Sequence, residues 1–497
     1  MKQVYVTLRP SGRRFAAPAG QRLLEALRQQ GIPLDAPCGG KGTCGKCRVL
    51  VNGQTERACQ YILAEDAAVE LPEQDRVQVL TGDGTAGADG RHAYILAFDV
   101  GTTTVVAFLC DGETGRQLAC ASAVNPQSAY GADVIARIQY ELERRDGRMG
   151  SEIRACLGRL ALEAAETAGV PPEKIGLAVL VGNTAMHHLL LGLDVAPLVK
   201  PPYMPSVREA VTLAGADWLP GAPEVRVLPN IAGFVGADTV GCMVSAAFDR
   251  LEELTLLIDI GTNGEMVLGN RDRRTACSTA AGPAFEGAKI RFGMRGAPGA
   301  IDHVVLEGRD LVCHVIGGGG ARGICGSGLL DAVYALLRAG FLDASGRMCQ
   351  SIPGPWLTVD NQPAFLLRDG VYLTQKDIRE VQLAKAAIRA GIELLLETMG
   401  QKRTDIRQVL LAGAFGSYLS PESACGIGML PSELLDRVRA IGNAAGEGAK
   451  QCALQESDYR RSIALAEGTA FLELASLPAF QDCYVDCLHF GEEEDDL

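Results

Sequence analysis

The chain lacks the features of a membrane, secreted or nucleic-acid-binding protein. No apolar run is long enough to cross a bilayer, and the first residues, MKQVY, show no apolar signal core. The chain has fewer basic than acidic residues, with 47 Lys and Arg and 60 Asp and Glu. The resulting net charge of −13 argues against nucleic acid and anionic membranes as partners. Sixteen cysteines without a secretion signal favour a reducing compartment, so we expect a cytoplasmic protein.

Length and pattern predict a multidomain α/β protein. A chain of 497 residues, 47% apolar and 22% charged, is expected to form two to four globular domains. The predicted segments are an N-terminal domain at 1–80, a flexible linker at 81–92, two lobes at 93–250 and 251–482, and an acidic tail at 483–497. The linker is predicted because its twelve residues include four glycines and no large apolar side chain.

The densest group of cysteines lies in a glycine-rich segment near the start of the chain. Its spacing is Cys38-x5-Cys44-x2-Cys47-x11-Cys59. Glycines let such a loop wrap closely around an inorganic core and point N–H groups at its sulfurs. The spacing favours a 2Fe–2S cluster with these four cysteines as ligands. Of the four, Cys59 is the one whose role as a ligand the spacing determines least. A zinc site or structural thiols are the alternatives, although zinc favours paired C-x2–4-C units.

The elements predicted around these cysteines form a small α+β unit. Hydrophobic alternation and periodicity predict strands at 4–8 and near Phe15, a helix at 21–30, and strands at 48–51 and 77–80. This order of hairpin, helix, cysteine loop and strands resembles the β-grasp fold of 2Fe–2S ferredoxins.

The remainder of the chain contains an internal repeat. An apolar strand at 93–98 leads into Asp99–Thr104 (DVGTTT), and another at 254–258 leads into Asp259–Glu265 (DIGTNGE). A strand, a tight turn and a further strand follow in both places. Such a repeat predicts two copies of one unit that face each other.

The two repeated turns have the chemistry of phosphate loops. Glycine permits a tight turn, backbone N–H and Thr hydroxyls donate to phosphate oxygens, and a strand-end Asp holds Mg²⁺ through water. A single such Asp equally well caps a turn, but two copies at matching places favour nucleotide contact. The predicted nucleotide contacts are Gly101, Thr102, Thr103, Thr104, Gly261, Thr262, Asn263 and Gly264.

A third motif completes the pattern of a nucleotide site. The apolar strand 409–412 runs into Gly413, Ala414, Phe415 and Gly416, a small-residue turn that admits a base or ribose. The two DxGT turns with this late GAFG turn resemble the acetate/sugar kinase–Hsp70–actin (ASKHA) ATPase superfamily. In that superfamily these are two phosphate loops and an adenosine loop. The resemblance implies a duplicated, two-lobed ATPase that uses ATP and Mg²⁺.

Acidic and histidine side chains are further candidates. Glu265 and Glu286 are proposed, with Asp99 and Asp259, to orient water or a metal, and Asp238 is a similar candidate. Glu265, Glu286 and Asp238 are each open to a role as a solvated or ion-paired residue, and the sequence selects no catalytic base. His187 and His188 are expected to pack or cap a helix rather than to ligate cobalt.

A ferredoxin domain ahead of such an ATPase resembles the reductive activators of corrinoid proteins. Four further motifs carry the resemblance: residues 125–138 (NPQSAYGADVIARI), 182–188 (GNTAMHH), 281–287 (AGPAFEG) and 374–379 (TQKDIR). The resemblance implies ATP-dependent transfer of an electron from the 2Fe–2S cluster to Co(II), which regenerates Co(I) for methyl transfer. It implies a corrinoid protein as partner and an electron donor such as a ferredoxin or flavoprotein. A homodimer remains open.

Three alternative functions remain at this point. The first is an ATP-driven activator of another Fe–S reductase or dehydratase. The second is a metabolite kinase, which needs an acceptor pocket and makes a phosphorylated product. The third is a nucleotide-binding redox sensor, which partner-stimulated ATP turnover would exclude.

Overall fold

The computed structural model describes residues 2–30, 32, 34, 36, 42, 47–72, 87–131, 133–214, 217–416 and 418–491. Cys38 and Cys44, the strand predicted at 77–80 and the first half of the predicted linker lie outside the described residues, and so does the side chain of Ala414. In the described part, no helix is both long and apolar enough to cross a membrane.

The N-terminal unit is a five-stranded mixed sheet with one helix packed against it. Its elements are β1 (Gln3–Arg9), β2 (Arg14–Pro18), α1 (Leu23–Gln29), β3 (Arg48–Val51), β4 (Gln54–Arg57) and β5 (Ala67–Glu70). The strand order is β2-β1-β5-β3-β4, with β1 parallel to β5 and the other pairs antiparallel. Alternating buried residues of β1 and the leucines of α1 form its core, as the periodicity predicts.

Lobe I follows, built on a six-stranded sheet in the order β10-β11-β9-β6-β7-β8. Its elements are β6 (Tyr94–Val100), β7 (Thr104–Asp111), β8 (Gln117–Val124), α2 (Val134–Arg144), α3 (Arg148–Ala168), β9 (Ile175–Gly182), α4 (Thr184–Leu191), β10 (Val211–Ala214), β11 (Glu224–Val227) and α5 (Ala237–Ser245).

Lobe II has a second six-stranded sheet, in the order β22-β21-β12-β13-β14-β23, and two three-stranded sheets, β16-β15-β17 and β18-β19-β20. Its elements are β12 (Thr255–Ile260), β13 (Gly264–Gly269), β14 (Arg274–Thr279), β15 (Ala300–Glu307), β16 (Asp310–Val315), β17 (Gly323–Ile324), α6 (Gly326–Arg338), β18 (Trp356–Val359), β19 (Gln362–Arg368), β20 (Val371–Thr374), α7 (Gln375–Met399), β21 (Gln408–Ala412), α8 (Gly413–Gly416), α9 (Pro421–Gly426), β22 (Val438–Ala440), α10 (Ala444–Leu454), α11 (Glu456–Glu467), β23 (Ala470–Phe471) and α12 (Pro478–Asp486).

The two large sheets repeat one topology. In each, three antiparallel strands come first (β6-β7-β8 and β12-β13-β14), and the first of them pairs in parallel with a later strand, β9 or β21. Both DxGT turns connect the first and second strands of this arrangement. The internal repeat predicted from the sequence is therefore confirmed, and it places the two turns at equivalent positions.

The lobes meet over two closely packed helices, α5 and α10. One apolar core combines both sheets with α5, α10 and α11. Small residues allow the backbones to touch, since a Cβ added to Gly448 would lie 1.9 Å from the carbonyl oxygen of Gly241. Any change in the angle between the lobes has to move these helices against each other.

Candidate nucleotide site and cluster segment

A cavity of about 550 Å³ opens between the two lobes. The chain segments that line it come from both DxGT turns, from the turn before β15 and from the GAFG segment. The structure brings together these predicted residues: Asp99, Gly101, Thr102, Thr103, Thr104, Asp238, Asp259, Gly261, Thr262, Asn263, Glu265, Glu286, Gly413 and Phe415. Gly264 starts β13 and Gly416 ends α8, and neither is part of the described cavity wall.

Three polar side chains hold the loop of lobe I, and two of them, Asn125 and Arg137, are buried. Asn125 Nδ2 donates to the Gly101 carbonyl at 2.8 Å, and Asn183 Nδ2 donates to Thr102 Oγ1 at 2.8 Å. The guanidinium of Arg137, which is only 1% exposed, donates to the Thr102 carbonyl at 2.5 Å. The motifs at 125–138 and 182–188 therefore hold the loop in shape, together with the Gly101 N–H, which donates to the Thr104 carbonyl at 2.9 Å.

The two loops differ in one chemically important respect. The register of lobe II pairs Glu265 directly with Asp259 across β12 and β13, whereas lobe I pairs Val106 with Asp99. The lobe II loop is also one residue shorter, but the difference in charge comes from residue type, since Val105 and Val106 of lobe I are both apolar. Two carboxyl groups therefore lie side by side in lobe II alone.

Four acidic residues, Asp99, Asp238, Asp259 and Glu265, form what we call the acidic quartet. Burial raises the pKa of Asp99 to about 6, and the neighbouring charge of Asp259 adds to this. Burial and then the Asp259 charge raise the pKa of Asp238 to about 7. Burial, followed by Asp238 and Asp259, raises the pKa of Glu265 well above its usual value. Within the described residues no ion pair joins the quartet to Lys or Arg, so no side-chain cation offsets the cost of ionising these four groups.

Each strand-end aspartate is held by a side chain from the opposite half of the molecule. Asn443, the N-cap of α10, donates from Nδ2 to Asp99 Oδ2 at 3.0 Å. Cys242 in α5 lies with its thiol 3.6 Å from Asp259 Oδ2. Sequence reasoning missed both residues. An Asn before the small-residue run AAGEGA signals a helix cap. Nothing in the local sequence indicates that the Asn443 side chain also donates a hydrogen bond to Asp99 in the other lobe.

Glu286 joins the two phosphate loops. The Thr103 hydroxyl of lobe I donates to Glu286 Oε2 at 2.8 Å, and the Thr262 hydroxyl of lobe II donates to Oε1 at 2.8 Å. One carboxylate thus accepts from the same two hydroxyls that the sequence assigned to phosphate. A phosphate group would offer these donors the same kind of acceptor, so it competes with Glu286 for them.

The far end of the cavity is flat and apolar. The rings of Phe285 and Phe415 stack with 5.0 Å between centroids and 1° between planes. Gly326, the first residue of α6, lies against them, since a Cβ there would be 2.2 Å from the Phe285 carbonyl oxygen. Gly413 has φ +87° and lies under Asp259. Glycine at positions 326 and 413 leaves space beside these groups that a larger side chain would fill.

His187 and His188 lie in α4, away from the cavity wall. His188 bonds to the Thr184 carbonyl through Nδ1 at 2.8 Å and accepts the Ser206 N–H at Nε2 at 3.0 Å. Burial, with His188 next to it, lowers the pKa of His187 to about 3. Both rings are thus neutral at physiological pH and contribute to packing, as the sequence predicted.

The described part of the cysteine segment suits an enclosed metal–sulfur group. Cys47 and Cys59 are 0% and 1% exposed, and the Ala58 N–H donates to the Cys47 carbonyl at 2.8 Å, which holds the two segments together. Gly42 has φ +78°, and a Cβ there would lie 2.8 Å from Gln60 Nε2. The loop therefore needs glycine at this close approach. Two buried thiols beside a glycine-dependent loop fit the donor chemistry of a 2Fe–2S cluster.

Three sequence-family profiles cover most of the chain. Residues 6–74 match a 2Fe–2S iron–sulfur cluster binding domain, residues 94–251 match the RACo middle region, and residues 253–497 match the C-terminal domain of RACo, the ASKHA domain. The fold and the site thus define an iron–sulfur protein whose ferredoxin domain is joined to an ASKHA domain.

Known proteins resemble this chain over most of its length. Corrinoid activation enzyme RamQ of Eubacterium limosum is 37% identical over 423 residues, which are 80% of this chain and 70% of that protein. The Co(II) methylated amine-specific corrinoid protein reductase of Methanosarcina barkeri is 29% identical over 53% of this chain and 51% of that protein. A solved reductive activator for corrinoid, iron–sulfur protein is 27% identical, with a TM-score of 0.73 over 98% of each chain. The chain belongs to the family of reductive activators of corrinoid proteins.

Replacement of Glu286 by Gln tests the bridge between the loops. The variant removes a negative charge from the predicted phosphate position, so MgATP should bind about threefold to tenfold more tightly. Hydrolysis should slow by about 10² if the carboxylate also orients water. Calorimetry and steady-state ATPase assays separate the two effects. Unchanged affinity would contradict competition between Glu286 and phosphate. Glu380→Gln is a matched control on lobe II, because Glu380 pairs with Lys289 at 3.4 Å.

Replacement of Asp238 by Asn tests the acidic quartet through pH. Because the pKa of Asp238 is raised to about 7 in the folded protein, its ionisation destabilises the fold above pH 7. Asp238→Asn should therefore stabilise the nucleotide-free protein at pH 8 by roughly 1–3 kcal/mol. The gain should shrink as the pH falls through 7 and vanish near pH 4.

Thermal unfolding at pH 8 and pH 5 measures this effect. Asp249→Asn is a control of opposite sign, because hydrogen bonds from Arg461 lower the pKa of Asp249. That variant should destabilise the protein at pH 8. If Asp238→Asn instead destabilises the protein at pH 8, the ionised carboxylate of Asp238 is compensated in the folded state, which contradicts this interpretation.

Replacement of Asn443 by Ala tests the contact across the lobes. Loss of the donor to Asp99 should lower kcat for ATP hydrolysis about tenfold and raise the Mg²⁺ concentration needed for half-maximal rate. Asn443→Asp keeps an acceptor for the Gly446 N–H cap but removes the donor to Asp99. It should be at least as impaired as Asn443→Ala. A wild-type rate for Asn443→Asp would mean that only the helix cap matters.

Proposed function

We propose that the protein is an ATP-dependent reductive activator of a corrinoid protein. It would pass one electron from its ferredoxin domain to cobalt in the partner, reducing Co(II) to Co(I), and couple this step to hydrolysis of ATP to ADP and phosphate. The observation that carries the proposal is Glu286, whose carboxylate joins Thr103 and Thr262 across the two lobes. A ligand that takes over these donors would change how the lobes are held together.

ATP is proposed to bind with its phosphates between the two loops. The loop N–H groups and the hydroxyls of Thr102, Thr103 and Thr262 would donate to phosphate oxygens. The base would lie at the flat end of the cavity, beside Phe285 and Phe415. Hydrogen bonds from buried Arg137 and half-buried Asn183 keep the lobe I loop in shape, so little reorganisation of the loop is needed on binding.

Mg²⁺ is proposed to neutralise the acidic quartet. Among the residues that the structure describes, no three His, Cys, Asp or Glu side chains are placed to hold a metal ion directly. Mg²⁺ retains much of its water shell and is often bound through one or two carboxylates and substrate phosphates. Asp99 and Asp259 would therefore contact it through water, and Glu265 and Glu286 remain as candidates to orient the attacking water.

The coupling between ATP and the lobes would work through contacts that cross the cleft. Phosphate competes for the threonines that Glu286 bridges, and Mg²⁺ competes for the aspartates that Asn443 and Cys242 hold. Asn443 caps α10 and Cys242 lies in α5, so the change at the aspartates would act on these two helices. Because ATP shifts an equilibrium only by its unequal affinity for the two states, these contacts are where that inequality would arise.

The N-terminal domain is proposed to supply the electron. Cys38, Cys44, Cys47 and Cys59 are the proposed ligands of a 2Fe–2S cluster, which when bound carries one electron at a time. Burial of Cys47 and Cys59 would keep water from the sulfur ligands on that side.

The experiment mixes the reduced protein anaerobically with a Co(II) corrinoid protein, with and without MgATP, and follows Co(I) by absorption. We expect Co(I) only with MgATP. Cys47→Ser should abolish Co(I) formation and leave ATP turnover, whereas Asp259→Asn should abolish both and leave the iron–sulfur spectrum unchanged. Cys349→Ser, which changes a half-buried thiol of lobe II, is the matched control.

Two results would overturn the proposal. Co(I) formation without nucleotide would remove the role of ATP, and full activity of Cys47→Ser would remove the role of the ferredoxin domain. A phosphorylated metabolite among the products would instead favour a kinase.

A further inference from the structure

Two arginines lie directly opposite each other beside the cysteine segment. In the pairing of β3 with β4, Arg48 faces Arg57, and both side chains are exposed. Like charges opposite each other on neighbouring strands are destabilising. Within the described residues no ion pair joins either arginine to a carboxylate. Among the residues that the structure describes, this edge of the sheet therefore carries two positive charges without a carboxylate partner.

The pair adjoins the two buried cysteines. Arg48 follows Cys47 in sequence and Arg57 lies two residues before Cys59, while Arg57 Nη1 donates to the Gly42 carbonyl at 3.0 Å. Both arginines line a shallow depression of about 640 Å³ together with Glu56, Tyr61 and the exposed Ile62. An apolar side chain within a positively charged rim is typical of a small protein-docking surface.

Charge is segregated between the ferredoxin domain and the rest of the chain. Residues 1–80 contain 11 of the 47 Lys and Arg but only 8 of the 60 Asp and Glu, which gives a net charge of +3. Residues 81–497 keep 36 basic and 52 acidic residues, a net charge of −16. An acidic protein is therefore attracted to the ferredoxin domain and repelled by the remainder.

We propose that the Arg48–Arg57 face is the docking surface for an acidic one-electron carrier protein that reduces this protein. This inference rests on the proposed function, and it names the chemistry of the donor. The donor transfers one electron and leaves oxidised, so only brief contact is needed. Weak redox complexes of this kind bury little surface and rely on electrostatic steering.

Surface charge distinguishes the electron donor from the corrinoid partner as the occupant of this face. A corrinoid protein that responds to the lobes has to approach the acidic lobes, where a strongly acidic surface would be repelled. A donor needs only the ferredoxin domain. The Arg48–Arg57 face therefore suits a partner that meets this domain alone.

The test measures reduction of the full-length holoprotein by a reduced acidic ferredoxin, used as the probe, in anaerobic stopped flow. Arg48→Glu/Arg57→Glu should lower the second-order rate constant at low salt at least about tenfold and flatten its salt dependence. Calorimetric titration of the oxidised proteins should show binding weakened by a similar factor. Lys2→Glu/Arg14→Glu is the control, because it makes the same change in net charge. Arg14 lies on β2, at the opposite edge of the sheet, so this variant should change the rate constant and the binding little.

Two controls separate this inference from the proposed function. Photoreduced deazariboflavin, a small reductant, should reduce both double variants at the wild-type rate, and their iron–sulfur spectra should be unchanged. Once reduced in this way, Arg48→Glu/Arg57→Glu should still form Co(I) with MgATP.

Three outcomes would overturn the docking surface. Equal losses in both double variants would mean that only net charge matters. No loss in Arg48→Glu/Arg57→Glu would mean that the donor binds elsewhere. Normal reduction by the ferredoxin, with Co(I) formation lost, would assign the face to the corrinoid protein. Failure of every form, wild type included, to make Co(I) would count against the proposed function alone.

Discussion

The central constraint in this structure is a cleft rich in buried carboxyl groups that have no cationic side-chain partner among the described residues. Burial and mutual repulsion raise the pKa values of Asp99, Asp238 and Glu265, so ionising these groups in the folded protein is electrostatically unfavourable. Hydrogen bonds from Asn443 and Cys242 offset part of this cost. In the proposed function, Mg²⁺ with a polyphosphate would supply the positive charge that offsets these carboxylates.

The contacts that hold the aspartates and the phosphate loops also hold the lobes together. Asn443 precedes α10, Cys242 lies in α5, and Glu286 reaches from lobe II to Thr103 of lobe I. A ligand that changes the contacts of Asp99 and Asp259 therefore acts directly on α10 and α5, which carry Asn443 and Cys242. In the proposed function, this is how ATP would control a partner that senses the lobes, while the ferredoxin domain meets its donor elsewhere.

Sequence patterns predicted the architecture well, because strands, turns and repeats are local or periodic. The two DxGT turns followed buried strands as expected, and the Thr374–Asp377 capping box starts α7. What the sequence left unresolved depends on contacts between distant segments. The Thr103–Glu286 bond joins residues 183 positions apart, and the Asp99–Asn443 bond joins residues 344 apart. Strand β5 was missed because four residues, AAVE, carry too little pattern.

The most direct test of this account is a structure of the protein with Mg²⁺ and a non-hydrolysable ATP analogue. In that structure, phosphate oxygens should accept hydrogen bonds from Thr103 and Thr262, and Glu286 should no longer accept from either hydroxyl. The crossing angle of α5 and α10 should also differ. A structure in which Glu286 still bridges the two threonines with the nucleotide bound, and the helices cross as before, would contradict it.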